Sequence, residues 1–351
     1  MTRPVCRLIS LLLALGLCLP RASCGKSGDV VRYKDYAVSR AIFSYQCAMD
    51  KTSYLYEAYH TTSDKTPASQ LQDNPAIWSM EDKDGVSVAA TLKQGVVDSM
   101  KWMLYLEQAA KDRGKTLNEE QRASVKNSLN EMVKNFETKS GFNEAMKPYG
   151  INYDQMYEYY LHQGLASIGE HLLFGEGGEM EITDAAAKTY FEKNYITVGC
   201  IFINDQNKTY PNGKTVYLPE SEKAEKRALA EELYQRLLAG EDFAALYRQY
   251  SDRQWDNGDT YTFTKGGFGN DKAEEAAFAL STGSVTKVDT DAGIFLLIRR
   301  GLNNSHFDTI KDTITTTLKN QKKDALMKDL VFTVDQAFVD SLDIAEMAFV
   351  R

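Results

Sequence analysis

The sequence is poor in imidazole and thiol. Its 351 residues include four histidines and five cysteines. The histidines are His60, His162, His171 and His306, and none lies between the last two. Any chemistry in that long stretch must proceed without imidazole. Cys6, Cys18 and Cys24 fall in the first two dozen residues, which leaves Cys47 and Cys200 for the folded part. Two cysteines exclude a disulfide scaffold. Their simplest reading is two buried thiols, with pairing in an oxidising compartment as the alternative. Positive charge is also in deficit, with 41 Lys and Arg against 49 Asp and Glu and a formal charge of −8. A nucleic-acid binder would show a clustered basic face instead. There is no phosphate loop, no Gly-rich dinucleotide turn and no Ser/His/Asp pattern in a recognised context. Past the N-terminus no apolar run is long enough to cross a bilayer. What remains is a composition of 43% hydrophobic and 26% charged residues, which reads as globular. The length exceeds one ordinary core and predicts two domains, or one inserted into another.

Residues 1–23 read as a secretory signal. Arg3 and Arg7 form a charged start, Leu8 to Leu19 an apolar run, and Ala22-Ser23 a small-residue cleavage site before Cys24. Ala22-Ser23-Cys24-Gly25 resembles a bacterial lipobox, in which Cys24 is lipidated, although Arg21 departs from that pattern. The expectation is a chain exported across the cytoplasmic membrane and anchored to its outer face. Ordinary signal cleavage, giving a soluble exported chain, is the alternative.

Residues 33–190 read as helices. Helical spacing of apolar residues marks Lys34–His60, Val86–Arg113 and Tyr153–Phe174. A capping box at Asn118 and Gln121 starts another helix, running to about Lys139. Residues 61–85 read as a loop, and Gly175, Gly177 and Gly178 as a break, with Glu176 and Glu179 on a solvated hinge. Thr183 caps a short helix through Tyr195. Residues 196–300 change character, with a β-α-α-β-α-β-β order that describes a compact α+β domain. Residues 305–351 return to helix from Phe307 to about Asp340, completing the helical module. His162 and His171 lie nine apart on one helix and do not share a face, so no metal site is expected there. No cofactor is implied elsewhere.

The middle segment resembles the parvulin-type peptidyl-prolyl isomerases. The resemblance rests on Glu274-Glu-Ala-Ala-Phe-Ala-Leu280, Ser281-Thr-Gly-Ser-Val-Thr286, Asp289-Thr-Asp-Ala-Gly-Ile294 and Leu296-Leu-Ile-Arg299. Gly240-Glu-Asp-Phe-Ala-Ala245, Tyr250-Ser-Asp252 and Asn257-Gly-Asp259 extend it in the family's order. A signal segment, a helical region, this domain and a returning helix together resemble the extracytoplasmic foldases of the PrsA and SurA type. That resemblance implies one chaperone module made from both ends of the chain, an inserted isomerase domain, and unfolded exported proteins as partners. A homodimer is left open.

The same resemblance implies two histidines on neighbouring strands, a Cys or Asp beside them, and a Met/Phe pocket for the proline ring. This sequence departs at nearly each of those positions. The histidine positions fall on Cys200 and Phe295, and the hydroxyl position before the second on Ala292. The Cys/Asp position falls on Arg253, the pocket Phe on Ala273, and the pocket Met on Phe268 or Gly269. One reading is a domain that keeps the fold and has lost efficient isomerisation, since Phe has no hydrogen-bonding nitrogen. The other is a hydrophobic slot of Cys200, Phe268 and Phe295 that still catalyses by desolvation. Cys200 and Phe295 as plain sheet core is compatible with the first. Outside the isomerase class, the alternative is an adaptor lipoprotein with one fixed partner. In the helical region Trp102, Met103, Tyr153, Tyr157 and Tyr160 are candidates for a client surface. Helical spacing sends most such residues to the core, and any surplus suits promiscuous binding.

Overall fold

The computed structural model describes residues 28–59, 71, 73–210, 213–254 and 258–350. The expected signal segment, Cys24, His60 and Asn257 lie outside the described residues. The chain divides into two compact units. A helical unit takes the chain up to Glu179 and again from Asp329, and a sheet unit takes Met180–Lys328. No described helix is long and apolar enough to cross a membrane.

The helical unit opens with strand, where the sequence predicts helix from Lys34. β1 (Asp29–Tyr33) and β2 (Tyr36–Ser39) form a hairpin turned at Lys34, whose φ is +47°. Val30, Val31 and Val38 are buried in it, and β-branched residues suit a pleated surface. Helix starts only at α1 (Arg40–Ala58), capped by the Ser39 hydroxyl. α2 (Pro75–Trp78) is one turn inside the expected loop. α3 (Val88–Asp112) and α4 (Glu119–Lys134) follow, the latter closed by the expected Asn118–Gln121 capping box. α5 (Lys139–Met146) leads to α6 (Tyr153–Phe174), which has a second capping box, Asn152 with Gln155. α6 lies close against α3 because Gly169 has no side chain: a Cβ there would fall 2.0 Å from the Leu106 carbonyl oxygen.

The sheet unit starts with α7 (Asp184–Asn194), which runs into β3 (Tyr195–Ile203). The expected turn near Tyr210 is the tip of a small hairpin, β4 (Asn207–Thr209) with β5 (Thr215–Tyr217). α8 (Glu220–Leu238), α9 (Phe243–Tyr250), β6 (Thr260–Thr264), α10 (Asp271–Ala279), β7 (Val285–Asp289) and β8 (Ile294–Arg300) complete the domain. The four main strands run antiparallel in the order β6-β3-β8-β7. The observed order is the expected one with the hairpin added.

α11 (Ser305–Met327) corrects the sequence reading twice. It stops at Met327, not near Asp340. It also packs within the sheet unit, where Phe307 and Ile314 bury against Ala187 and Phe191 of α7. The return to the helical unit is made by the chain after it: β9 (Thr333–Val334), α12 (Gln336–Ser341) and an irregular tail. β9 pairs with β1 through Val31↔Val334 and Arg32↔Thr333. Phe332 stacks on Tyr33 at 4.6 Å. The tail is then held by Lys51, whose fully buried ammonium donates to the carbonyls of Ile344 (2.7 Å), Ala345 (3.0 Å) and Met347 (2.7 Å). Asp73 supplies its counter-charge.

Candidate active site

Alternation along β3 decides what each face of the sheet carries. Ile201 and Ile203 point to the side covered by α8 and α9, with Ile294 and Leu296 from β8. Ile196, Val198 and Cys200 point to the side covered by α10, with Phe295 and Leu297. Cys200 pairs with Leu297, and Phe202 with Phe295, in the β3–β8 ladder. The two positions where the resemblance implies imidazole therefore meet on one face of neighbouring strands.

That face is aromatic. The Phe295 ring lies 4.8 Å from Phe202 and 5.6 Å from Phe268. Phe263 lies 5.0 Å from Phe268 and 5.3 Å from Tyr261, and Phe278 meets Phe263 edge-on at 5.8 Å. Cys200 is fully buried beneath them. Burial pushes its thiol far above the usual range, with the Arg253 charge opposing weakly. Burial thus favours the neutral thiol over the nucleophilic thiolate. Phe202, Tyr261 and Phe263 were not among the sequence candidates. Their signal was the two-residue alternation of β3 and β6, which places them in line with Cys200.

The loop after β6 presents Phe268 to this cluster. The Glu274 carboxylate accepts from the amides of Gly266 (2.7 Å) and Phe268 (3.1 Å), and the Tyr261 hydroxyl donates to the Gly267 carbonyl at 2.8 Å. Phe268 is thus held half-buried beside Phe295. Gly269 stands next in that loop at φ +80°. Ala273 is buried under the sheet on α10 and contributes one methyl group.

Arg253 is exposed in the segment after α9. That segment is tied to the end of β3: the Phe202 amide donates to the Ser251 hydroxyl (3.1 Å), which donates to the Arg253 carbonyl (2.7 Å). Ala292 is exposed in the β7–β8 turn. The hydroxyl of that turn belongs to Thr290, which sequence reasoning passed over. It donates to the Gly293 carbonyl at 2.7 Å and accepts from the Ala292 amide at 3.2 Å, closing the turn. Gly293 has φ +142°, and a Cβ there would stand 2.6 Å from the Phe202 ring. The glycine is what lets the ring settle against β8.

The arrangement has no imidazole and no thiolate. It presents an aromatic face of Phe202, Phe268 and Phe295, the first two half-buried. Among the described residues, no three His, Cys, Asp or Glu side chains converge to hold a metal ion.

The candidate client residues do not form one surface. Met103 and Tyr153 are core, which corrects their assignment; the Tyr153 hydroxyl donates to Asn130 Oδ1 at 2.6 Å. Trp102 is half-buried, stacked on Tyr105 at 5.4 Å and near Phe174 at 6.1 Å. Tyr157 and Tyr160 are half-buried near the start of α6. Tyr160 lines a groove of about 400 Å³ with Val125 and Met132. Phe174 ends α6, and a rise of about 1.5 Å per residue separates it from Tyr160 by roughly 20 Å. Trp102 and the two tyrosines are separate patches.

Residues 182–299 match the PPIC-type PPIase domain, which spans the whole β3–β8 fold and α7. The chain is similar to the foldase protein PrsA of Caldanaerobacter subterraneus subsp. tengcongensis, at 26% identity over 256 residues, covering 72% of this chain and 71% of that protein. Among solved structures it is similar to PrsA from Bacillus subtilis, at 20% identity, 76% coverage of this chain, 90% of that chain and a TM-score of 0.26. It is likewise similar to the peptidylprolyl isomerase PrsA from Bacillus cereus, at 20% identity, 79% and 94% coverage and a TM-score of 0.32. A third similarity is to the SurA-like chaperones PEB4 and Cj1289 of Campylobacter jejuni, at 10% identity, 88% and 98% coverage and a TM-score of 0.23.

Proposed function

We propose that this chain is an extracytoplasmic foldase that binds unfolded exported proteins through its helical unit, and that its isomerase domain has lost efficient catalysis. The observation that carries the second part is that Cys200 and Phe295, at the two positions where the resemblance implies imidazole, stand on the same α10 face of neighbouring strands. Rotation about a prolyl peptide bond faces a barrier set by partial double-bond character, about 18–20 kcal/mol for an ordinary peptide bond. A catalyst must favour the twisted amide over the planar one. Phe295 offers no hydrogen bond, and the buried Cys200 thiol offers a weak one. What remains is a packed aromatic face, which supports apolar contact with a client better than turning its prolyl bond.

A protease-coupled proline-peptide assay on the full chain tests this. The expected rate is that of the uncatalysed peptide. Turnover well above background, lost in Phe268→Ala, makes the domain an active isomerase, the reading that the Glu274-held Phe268 favours. The first part is tested by aggregation of several unrelated denatured proteins. Suppression of all of them supports a holdase, and binding to one partner alone supports the adaptor. Membrane anchoring through Cys24 is part of the proposal. Membrane association unchanged in Cys24→Ala would remove it. A homodimer would show in sedimentation of the exported chain.

A further inference from the structure

A groove of about 560 Å³ runs along the helical unit between the second half of α1, the first turns of α3 and the segment from Met80 to Val86. Its volume is within the roughly 300–1,000 Å³ typical of ligand clefts. Tyr54, Val88 and Leu92, all half-buried, provide apolar walls. Met80 and Val86 stand at the lip, 61% and 42% exposed. Both are among the few large hydrophobic side chains that the described chain leaves exposed. The lip is a built turn. The Asp82 amide donates to the Val86 carbonyl at 3.0 Å, the Asp82 carboxylate accepts from the Asp84 and Val86 amides, and the Val88 amide donates to the Met80 carbonyl at 2.9 Å.

Among the described lining residues the charge has one sign: Asp50, Glu57, Glu81 and Asp82 line the groove, and no described Lys, Arg or His does. Asp50 accepts from the Gln46 amide at 2.6 Å. Burial nevertheless holds its carboxyl above the ordinary carboxylate range. A cation brought into the groove would relieve that penalty.

We propose that the groove binds an extended peptide segment in which large apolar side chains are flanked by Lys or Arg. The inference rests on the reading of the helical unit as a client binder and names the chemistry it selects. Apolar side chains enter between Tyr54, Leu92 and Met80. Lys and Arg lay their stems along the same wall and carry their charge to the carboxylates. A segment bearing acidic flanks meets like charge and is rejected.

Fluorescence anisotropy of the exported chain with three labelled peptides of about ten residues tests this. One alternates Leu and Phe with Lys and Arg, one alternates Leu and Phe with Asp and Glu, and one alternates Ser with Lys and Arg. The first is expected to bind about tenfold tighter than either of the others, a difference of about 1.4 kcal/mol. Glu57→Lys with Glu81→Lys, both exposed positions, should erase the preference of the first peptide over the second. Met80→Ser should weaken the first peptide without reversing that order. Equal binding of the first two peptides overturns the proposal, as does an unchanged preference in the charge-reversed variant. If that variant loses its helical circular dichroism, the Gln versions at the same positions carry the same readout. Aggregation suppression separates the two readings. Preference without suppression sinks the holdase and keeps the groove. Suppression without preference sinks the groove alone.

Discussion

His162 Nδ1 lies 2.8 Å from the Glu107 carboxylate across the contact of α6 with α3, and Glu107 is buried. Burial holds Glu107 above its ordinary 4.5, with His162 partly offsetting it. Burial also disfavours charge on His162. The Glu107 hydrogen bond and charge, with Glu158 adding, outweigh this and raise the imidazole above 6.5. Both groups therefore hold a proton more tightly folded than unfolded, and stability falls as pH rises. The His162 contribution is whole below about pH 6.5 and is lost as pH passes its raised folded value. We expect the thermal midpoint of the helical unit to drop between pH 6 and pH 8. Glu107→Gln should flatten that drop, because it removes the charge that raises the imidazole. Calorimetry of both proteins across that range checks it; parallel profiles would clear the pair of any role.

Lys51→Met should cost on the order of 3–5 kcal/mol, the usual loss when one member of a buried ion pair is removed. It leaves Asp73 without its cation and the carbonyls of Ile344, Ala345 and Met347 without this donor. Hydrogen exchange should show the segment after Asp343 opening before α1 and α3. An unchanged exchange pattern there would mean that the tail is held by packing alone.

Gly293→Ala should destabilise the sheet unit by about 1–3 kcal/mol, through a φ of +142° and the 2.6 Å approach to Phe202. The domain's unfolding temperature and the near-ultraviolet signal of the aromatic cluster should shift together. Ala292→Gly, one residue away and exposed, serves as the control.

Cys47 and Cys200 should be silent towards a thiol reagent in the folded chain. Both are fully buried, and burial pushes the Cys47 thiol up to about 12. A chain expressed from Gly25 onward should show no fast-reacting thiol when native and two in guanidinium. One fast thiol in the native chain would mean that one of the two units opens locally on that timescale.

Much of the sheet unit could be read from local pattern, because its strands and helices follow one another closely and carry their own periods. The Asn118–Gln121 cap is equally local and appears where the sequence places it. The hairpin at Asp29–Ser39 was missed because what stabilises it lies at Thr333 and Val334, far away in sequence. Lys51 could not be read at all: its partners are three backbone carbonyls, and a carbonyl leaves no mark on sequence. The site positions came from the resemblance, and the structure added what the resemblance could not supply. The space around Cys200 and Phe295 is filled by rings of Phe202, Phe263 and Phe268. The acidic groove needed three segments to converge and was invisible until they did.

The pairing of β1 with β9 has a consequence for how the chain is made. Val31 waits for Val334, so β1 cannot complete its pairing in the helical unit until the chain beyond α11 has arrived. The sheet unit is one unbroken stretch and has no such wait. Contacts of long sequence separation form late, and domains fold as units while the chain emerges. While the chain emerges, the sheet unit can be finished when the helical unit is still missing a strand and the tail that Lys51 grips. For that interval the protein is itself an incomplete chain with apolar surface uncovered.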